Sequence, residues 1–157
     1  MEGMVIKGVA QGTGKAAVSV LDVPDRPGVA FKIFSLLGQN GINVDVILQS
    51  VMRDSKRDIA FTIDEEDINE TLQLLEENQP LFDYSSLAVD RDIVKVSIVG
   101  AGMLSNSGIA SRMFGALYEA GINIKMITTS EIKISVILES KDADNAVNVI
   151  HDEFINK

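Results

Sequence analysis

Apolar residues recur along the chain at two periods, near two and near 3.6. Val18 to Leu21 alternates and predicts a strand. Pro24, Pro27 and Gly28 break it as a turn. Val29, Ile33, Leu36 and Leu37 then follow the i, i+4, i+7, i+8 stripe of an amphipathic helix, which Gly41 stops. Ile42, Val44, Val46 and Leu48 alternate as a second strand. That alternation places Asn43, Asp45 and Gln49 on the other strand face, expected to turn away from the helices. Arg53 to Arg57 is polar and predicts a hairpin loop. Ile59, Phe61 and Ile63 form a third strand. Ile68, Leu72 and Leu75 make a second helical stripe ahead of Pro80, and Tyr84 to Val89 is a fourth strand. The order βαββαβ is the ferredoxin-like pattern, an α+β fold.

The chain then repeats itself. At an offset of 80, Gly28, Ala30, Phe34, Leu37, Gly41, Ile42, Asn43 and Ile47 recur as Gly108, Ala110, Phe114, Leu117, Gly121, Ile122, Asn123 and Ile127. Upstream, Val18-Ser19-Val20 matches Val96-Ser97-Ile98; downstream, Ile59-Ala60-Phe61 matches Ile134-Ser135-Val136. The second copy is predicted to hold strands Val94 to Val99, Ile122 to Thr129 and Ile132 to Leu138. Its helices are Ile109 to Ala120 and roughly Asp142 to Phe154. No fourth strand follows before Lys157, yet Met4 to Val9 is a spare strand without an assigned partner. An open sheet edge invites aggregation, so the N-terminal strand is expected to complete the second sheet. The expected domains are 15–90, and 1–14 plus 91–157.

Composition narrows the chemistry. The 157 residues include no cysteine and one histidine, His151, which removes thiolate chemistry and any two-imidazole mechanism. With 14 basic and 23 acidic residues the formal charge is −9, the wrong sign for nucleic acid. No apolar run reaches the ~20 residues of a membrane span, and Met1-Glu2-Gly3-Met4 does not open a secretory signal. A cytoplasmic location is expected, without nucleic-acid or membrane partners, cofactor or metal. A small enzyme of ferredoxin-like fold is disfavoured for want of a catalytic pair.

Most motifs read as structure. Gln11-Gly12-Thr13-Gly14-Lys15 departs from a phosphate loop at both ends and predicts an inter-domain loop. Gly100-Ala101-Gly102 lacks the third glycine of a dinucleotide fingerprint, with Ser105 in its place, and reads as a strand-to-helix turn. Asp64-Glu65-Glu66-Asp67 suits the positive end of a helix. His151 reads as surface or edge packing, and Met103, Met113 and Met126 as fillers of core or interface gaps. One group stands apart: Asp25-Arg26-Pro27-Gly28 puts a carboxylate and two turn formers before a helix start. The helix N-terminus takes a carboxylate and Asp25 an ammonium, together the complement of a free amino acid. Equally, Asp25 serves as a helix cap.

Val23-Pro24-Asp25-Arg26-Pro27-Gly28-Val29-Ala30, followed by Gly41-Ile42-Asn43-Val44-Asp45, resembles an ACT domain. Val96 to Met103 and Thr129 to Val136 extend the likeness to the tandem ACT regulatory region of aspartate kinase, over essentially the whole chain. The resemblance implies a non-catalytic regulatory subunit or region, with the kinase domain absent from this chain. It implies a homodimer that binds lysine or threonine, end products of the aspartate pathway, between subunits and mediates feedback inhibition. Carried over by position, the effector site falls on Asp25, Gly28, Val29, Ala30 and Gln49, with Asn123 and Ile124 from a second subunit. The second copy departs from the family: Met103-Leu104-Ser105-Asn106-Ser107 has no Asp before Gly108, which leaves an equivalent site there open. The alternative is a stand-alone amino-acid sensor acting on an unrelated partner.

Overall fold

The computed structural model describes residues 5–101 and 108–155. Along the chain run β1 (Val5–Pro24), α1 (Val29–Gln39), β2 (Ile47–Gln49), β3 (Lys56–Asp64), α2 (Ile68–Glu77), α3 (Gln79–Phe82), β4 (Ser86–Ala101), α4 (Ile109–Glu119), β5 (Met126–Thr129), β6 (Lys133–Glu139) and α5 (Ala143–Phe154). They divide into two compact units. One is Lys15–Arg91; the other is Met1–Gly14 with Asp92–Lys157. No helix of the described residues is long and apolar enough to cross a membrane.

In the first unit the strand order is β2-β3-β1-β4. β1 and β2 both run antiparallel to β3, with Val18 opposite Phe61 and Gln49 opposite Ile59. Its core joins Val18, Val20, Ile59, Phe61 and Ile63 of the sheet to Ile33 and Leu37 of α1 and Ile68 and Leu75 of α2. Phe34 meets Phe61 edge-on with ring centroids 5.5 Å apart. The helical stripe of α2 buries Ile68, Thr71 and Leu75, with Leu72 half-buried beside them.

The second unit has the order β1-β4-β6-β5, with β6 antiparallel to β4 and β5. The N-terminal part of β1 supplies its fourth strand, and a Cβ at Gly12 would lie 4.0 Å from Lys95 Cβ. The core here is Val94, Val96, Ile98, Val136 and Leu138 under Met113 and Leu117 of α4 and Ala146 and Ile150 of α5. Arg112 ties the two helices: its Nε donates to Glu153 at 3.0 Å and its guanidinium lies 4.6 Å from the Phe154 ring centre. Met126 is half-buried in β5 and His151 is exposed on α5. Met1 to Met4, Gly102, and Met103 to Ser107 lie outside the described residues.

The repeat survives at atomic detail. Both α1 and α4 begin after a left-handed glycine, Gly28 at φ 89° and Gly108 at φ 93°. Both end in a Schellman motif around a second glycine. Ile42 N–H bonds Leu37 C=O at 3.0 Å and Gly41 N–H bonds Gly38 C=O at 3.1 Å; Ile122 to Leu117 and Gly121 to Tyr118 do the same, each at 3.0 Å.

Three expectations need correction. Gln11 to Lys15 is not a loop but part of β1, which runs unbroken from Val5 to Pro24. Gly14 takes φ 71° without leaving the strand, and Lys15 pairs with Asp64 in register and through a 2.7 Å ion pair. Neighbouring strands thus override a loop-like composition. The predicted fourth strand of the first copy and first strand of the second are likewise one strand, β4. The third correction concerns the second strands, which start late. Regular pairing begins only at Ile47 and Met126. Before β2, Thr62 engages two successive residues: its C=O accepts from Asp45 N–H and its Oγ1 from Val46 N–H, at 3.0 and 2.9 Å. That irregularity shifts the alternation by one. Gln49 and Ile47 therefore share a sheet face with Ile59 and Phe61, on the side the helices cover, not the opposite one. Ile47 and Ile127 stay 48% and 41% exposed because they lie on edge strands.

Candidate functional site

Two departures from regular structure build the site at the end of β1. Between Val20 and Val23 the β1–β3 register slips; Asp22 adopts φ 57° and its N–H is held by Asp58 Oδ1 at 2.9 Å. Such a bulge bends the strand. Pairing resumes with Val23 opposite Arg57 and Pro24 opposite Lys56. The hairpin before β3 turns at Asp54 and Ser55, both left-handed, between the bridged pair Arg53 and Lys56. Its Ser55 C=O accepts the Asp25 N–H at 2.9 Å. The loop after β1 is thereby anchored to the hairpin.

Gly28 then opens α1. Its φ of 89° belongs to glycine. No side chain caps the helix, so Asp25 is not a cap. A helix cannot satisfy its first-turn N–H groups internally; here Val29 N–H makes a long 3.4 Å bond to Arg26 C=O, and the segment Gly28 to Ala30 lines a cavity of about 90 Å³. Val23 and Ile59 give that cavity an apolar wall; Asp25, Arg26, Gln49 and Arg57 give it polar ones.

Arg57 links the polar groups. Its Nη2 lies 3.0 Å from Asp25 Oδ1, and its Nη1 donates to Gln49 Oε1 at 3.2 Å. Its Nε is buried without a hydrogen-bond partner among the described residues. Asp25, Gly28, Val29, Ala30 and Gln49 are thus brought together around one cavity. Asn123 and Ile124 are not among its lining residues; they sit between α4 and β5 in the second unit, Asn123 exposed and Ile124 half-buried. Sequence reasoning missed Arg57, which lay in what read as loop. The hairpin register carried the signal: Arg57 precedes by two the residue opposite Gln49, which puts both on one face. A roomier hollow of about 220 Å³ borders the cavity beside Arg26, Lys32 and Leu81, but neither Asp25 nor Gln49 reaches it. Among the described residues no cluster of His, Cys, Asp or Glu could hold a metal ion.

Comparison with known proteins agrees with the repeat. Residues 17–78 and 96–154 each match an ACT domain. The chain is 44% identical over 154 residues to an aspartate kinase of Stutzerimonas stutzeri, covering 98% of this chain and 37% of that protein. It is 48% identical over 151 residues to an aspartokinase of Helicobacter pylori, covering 96% and 37%. The chain thus spans 37% of the length of these curated relatives. A solved structure of aspartokinase alpha and beta subunits superposes with a TM-score of 0.88 at 39% identity, covering 96% of this chain and 99% of that one. The ligand-free regulatory subunit of aspartate kinase from Thermus thermophilus gives 0.88 at 38%, covering 95% and 98%.

Proposed function

The chain belongs to the ACT-domain family as a regulatory region of aspartate kinase, and from that premise we propose that its first unit binds an end-product amino acid and relays it as feedback inhibition. The effector is threonine, lysine or both. The observation that carries this reading is the convergence of Asp25, Gln49 and an uncapped helix start on one cavity. The first-turn N–H groups of α1 and their partial positive charge suit an α-carboxylate. Asp25, 41% exposed, retains acceptor capacity beyond its Arg57 contact for an α-ammonium. Gln49 meets the effector's side chain.

The cavity is open, and a second copy closes it. In this reading two chains form a homodimer, and Asn123 and Ile124 of the partner subunit cover the ligand. An effector that binds only when the subunits close around it has different affinities for two arrangements, which allosteric coupling requires. The dimer acts on a catalytic aspartate kinase subunit in the cytoplasm. The test is to assemble the chain with catalytic kinase and titrate threonine and lysine. Kinase activity should fall with one or both, and Asp25→Ala should relieve the inhibition. Kinase activity indifferent to both amino acids would rule the reading out.

A further inference from the structure

We propose that Arg57 decides which amino acid the cavity accepts, admitting a neutral hydroxyl-bearing side chain and rejecting a cationic one. The inference deepens the effector reading and rests on it. The guanidinium spans the polar wall, with Nη2 3.0 Å from Asp25 Oδ1 and Nη1 3.2 Å from Gln49 Oε1. Gln49 Oε1, the acceptor that would welcome an ammonium, already accepts from the cationic guanidinium, which leaves it one lone pair beside a positive charge. What this end offers is mostly donors: the Gln49 amide and the remaining guanidinium N–H groups. A hydroxyl oxygen accepts from them. An ammonium group, with three protons and no lone pair, does not.

Charge points the same way. The ionised residues lining the cavity are Asp25, Arg26 and Arg57, two cations to one carboxylate. This wall is positive in a chain whose net charge is −9, so it does not follow from composition. An amino acid with a neutral side chain enters as a zwitterion, and Asp25 suffices for its ammonium. Lysine brings a second ammonium, and the wall holds no second carboxylate. The volume leaves little room to avoid the guanidinium. Gln49 and Arg57 line that space of about 90 Å³, so a long side chain bound in it meets the guanidinium.

The experiment is calorimetric titration of the whole chain with threonine and with lysine, for wild type, Arg57→Met and Arg57→Lys, with melting temperatures in parallel. Wild type should bind threonine at least about tenfold tighter than lysine, since like charges brought together disfavour a partner strongly. Arg57→Met should narrow the gap to within about threefold, chiefly by tightening lysine, while Arg57→Lys, which keeps the charge, should preserve most of it. In wild type itself the gap should shrink between about 0.05 and about 0.5 M salt, a readout that survives if a variant fails to fold. An unchanged ratio in a folded Arg57→Met chain, or wild type binding lysine as tightly as threonine, overturns the assignment and leaves the effector reading standing. Wild type that binds neither amino acid overturns both.

Discussion

Asp25 is held by its N–H on the Ser55 carbonyl and by its carboxylate on Arg57, at 2.9 and 3.0 Å. Neither contact is a cap, so removing the side chain spares α1. An ion pair this exposed contributes ~0–1 kcal/mol, whereas a charged hydrogen bond to a ligand is worth ~1.5–3 kcal/mol. Asp25→Ala should therefore melt close to wild type while binding effector roughly ten- to a hundredfold more weakly; a large fall in melting temperature with affinity intact would make Asp25 a fold residue. Tyr84 is the converse case, buried and donating its phenol to Leu75 C=O at 2.9 Å. Burial first, then the nearby Glu76, raises its pKa above the ordinary 10.0. The unfolded chain thus ionises first, so this stabilisation is complete below pH 10 and is lost as pH climbs through the raised folded value. Tyr84→Phe should lose about 1 kcal/mol at neutral pH and flatten the alkaline decline, read from denaturant unfolding at several pH values. At this scale the grouping of Asp25, Gly28 and Ala30 around one cavity was legible because they are near neighbours in sequence. Arg57 was not, because a hairpin register and a bulge bring it to them.

Elements were legible where local pattern and tertiary context agree. The glycine stops of α1 and α4 and their apolar stripes needed nothing from outside the segment. The phase of β2 did need it, because Thr62 on the neighbouring strand resets the alternation. The length of β1 needed it too, because Gly12 and Gly14 look like loop although they lie within a strand flanked by β3 and β4. β1 supplies the fourth strand of the second unit from residues before Lys15. Removing 1–10 should therefore strip hydrogen-exchange protection from the 94–99 stretch of β4 while the first unit keeps its own. A truncated chain that melts like the intact one would contradict the shared strand. The Asp54-Ser55 turn carries both left-handed residues without glycine, a conformation that costs L-residues roughly 1–2 kcal/mol each. Ser55→Gly should thus stabilise the chain by up to about 1 kcal/mol in denaturant melts. It should also leave effector affinity unchanged, because only the Ser55 backbone touches Asp25.

At the scale of the molecule, two small ferredoxin-like units each bury one core, and cores of this size are marginal alone. Ile47 and Ile127, repeat equivalents, hold half-exposed places on edge strands, and Phe31 at the start of α1 is 74% exposed. Light scattering should therefore find a dimer at micromolar concentration; a monomer both with and without effector would leave the cavity without its closing partner. That the chain is a regulatory region of aspartate kinase was legible in its repeat and in the ACT-like motifs that the two copies carry. Of the groups proposed to meet the ligand, Asp25, Gly28, Val29, Ala30 and Gln49 line one cavity, whereas Asn123 and Ile124, proposed to act from a second subunit, do not. The most direct measurement is calorimetric titration of the chain with threonine, lysine, methionine and isoleucine in turn. The account predicts saturable binding of threonine or lysine, weakened roughly ten- to a hundredfold in Asp25→Ala, and none of methionine or isoleucine. Heats absent for all four, or equal for all four and indifferent to Asp25, would contradict it.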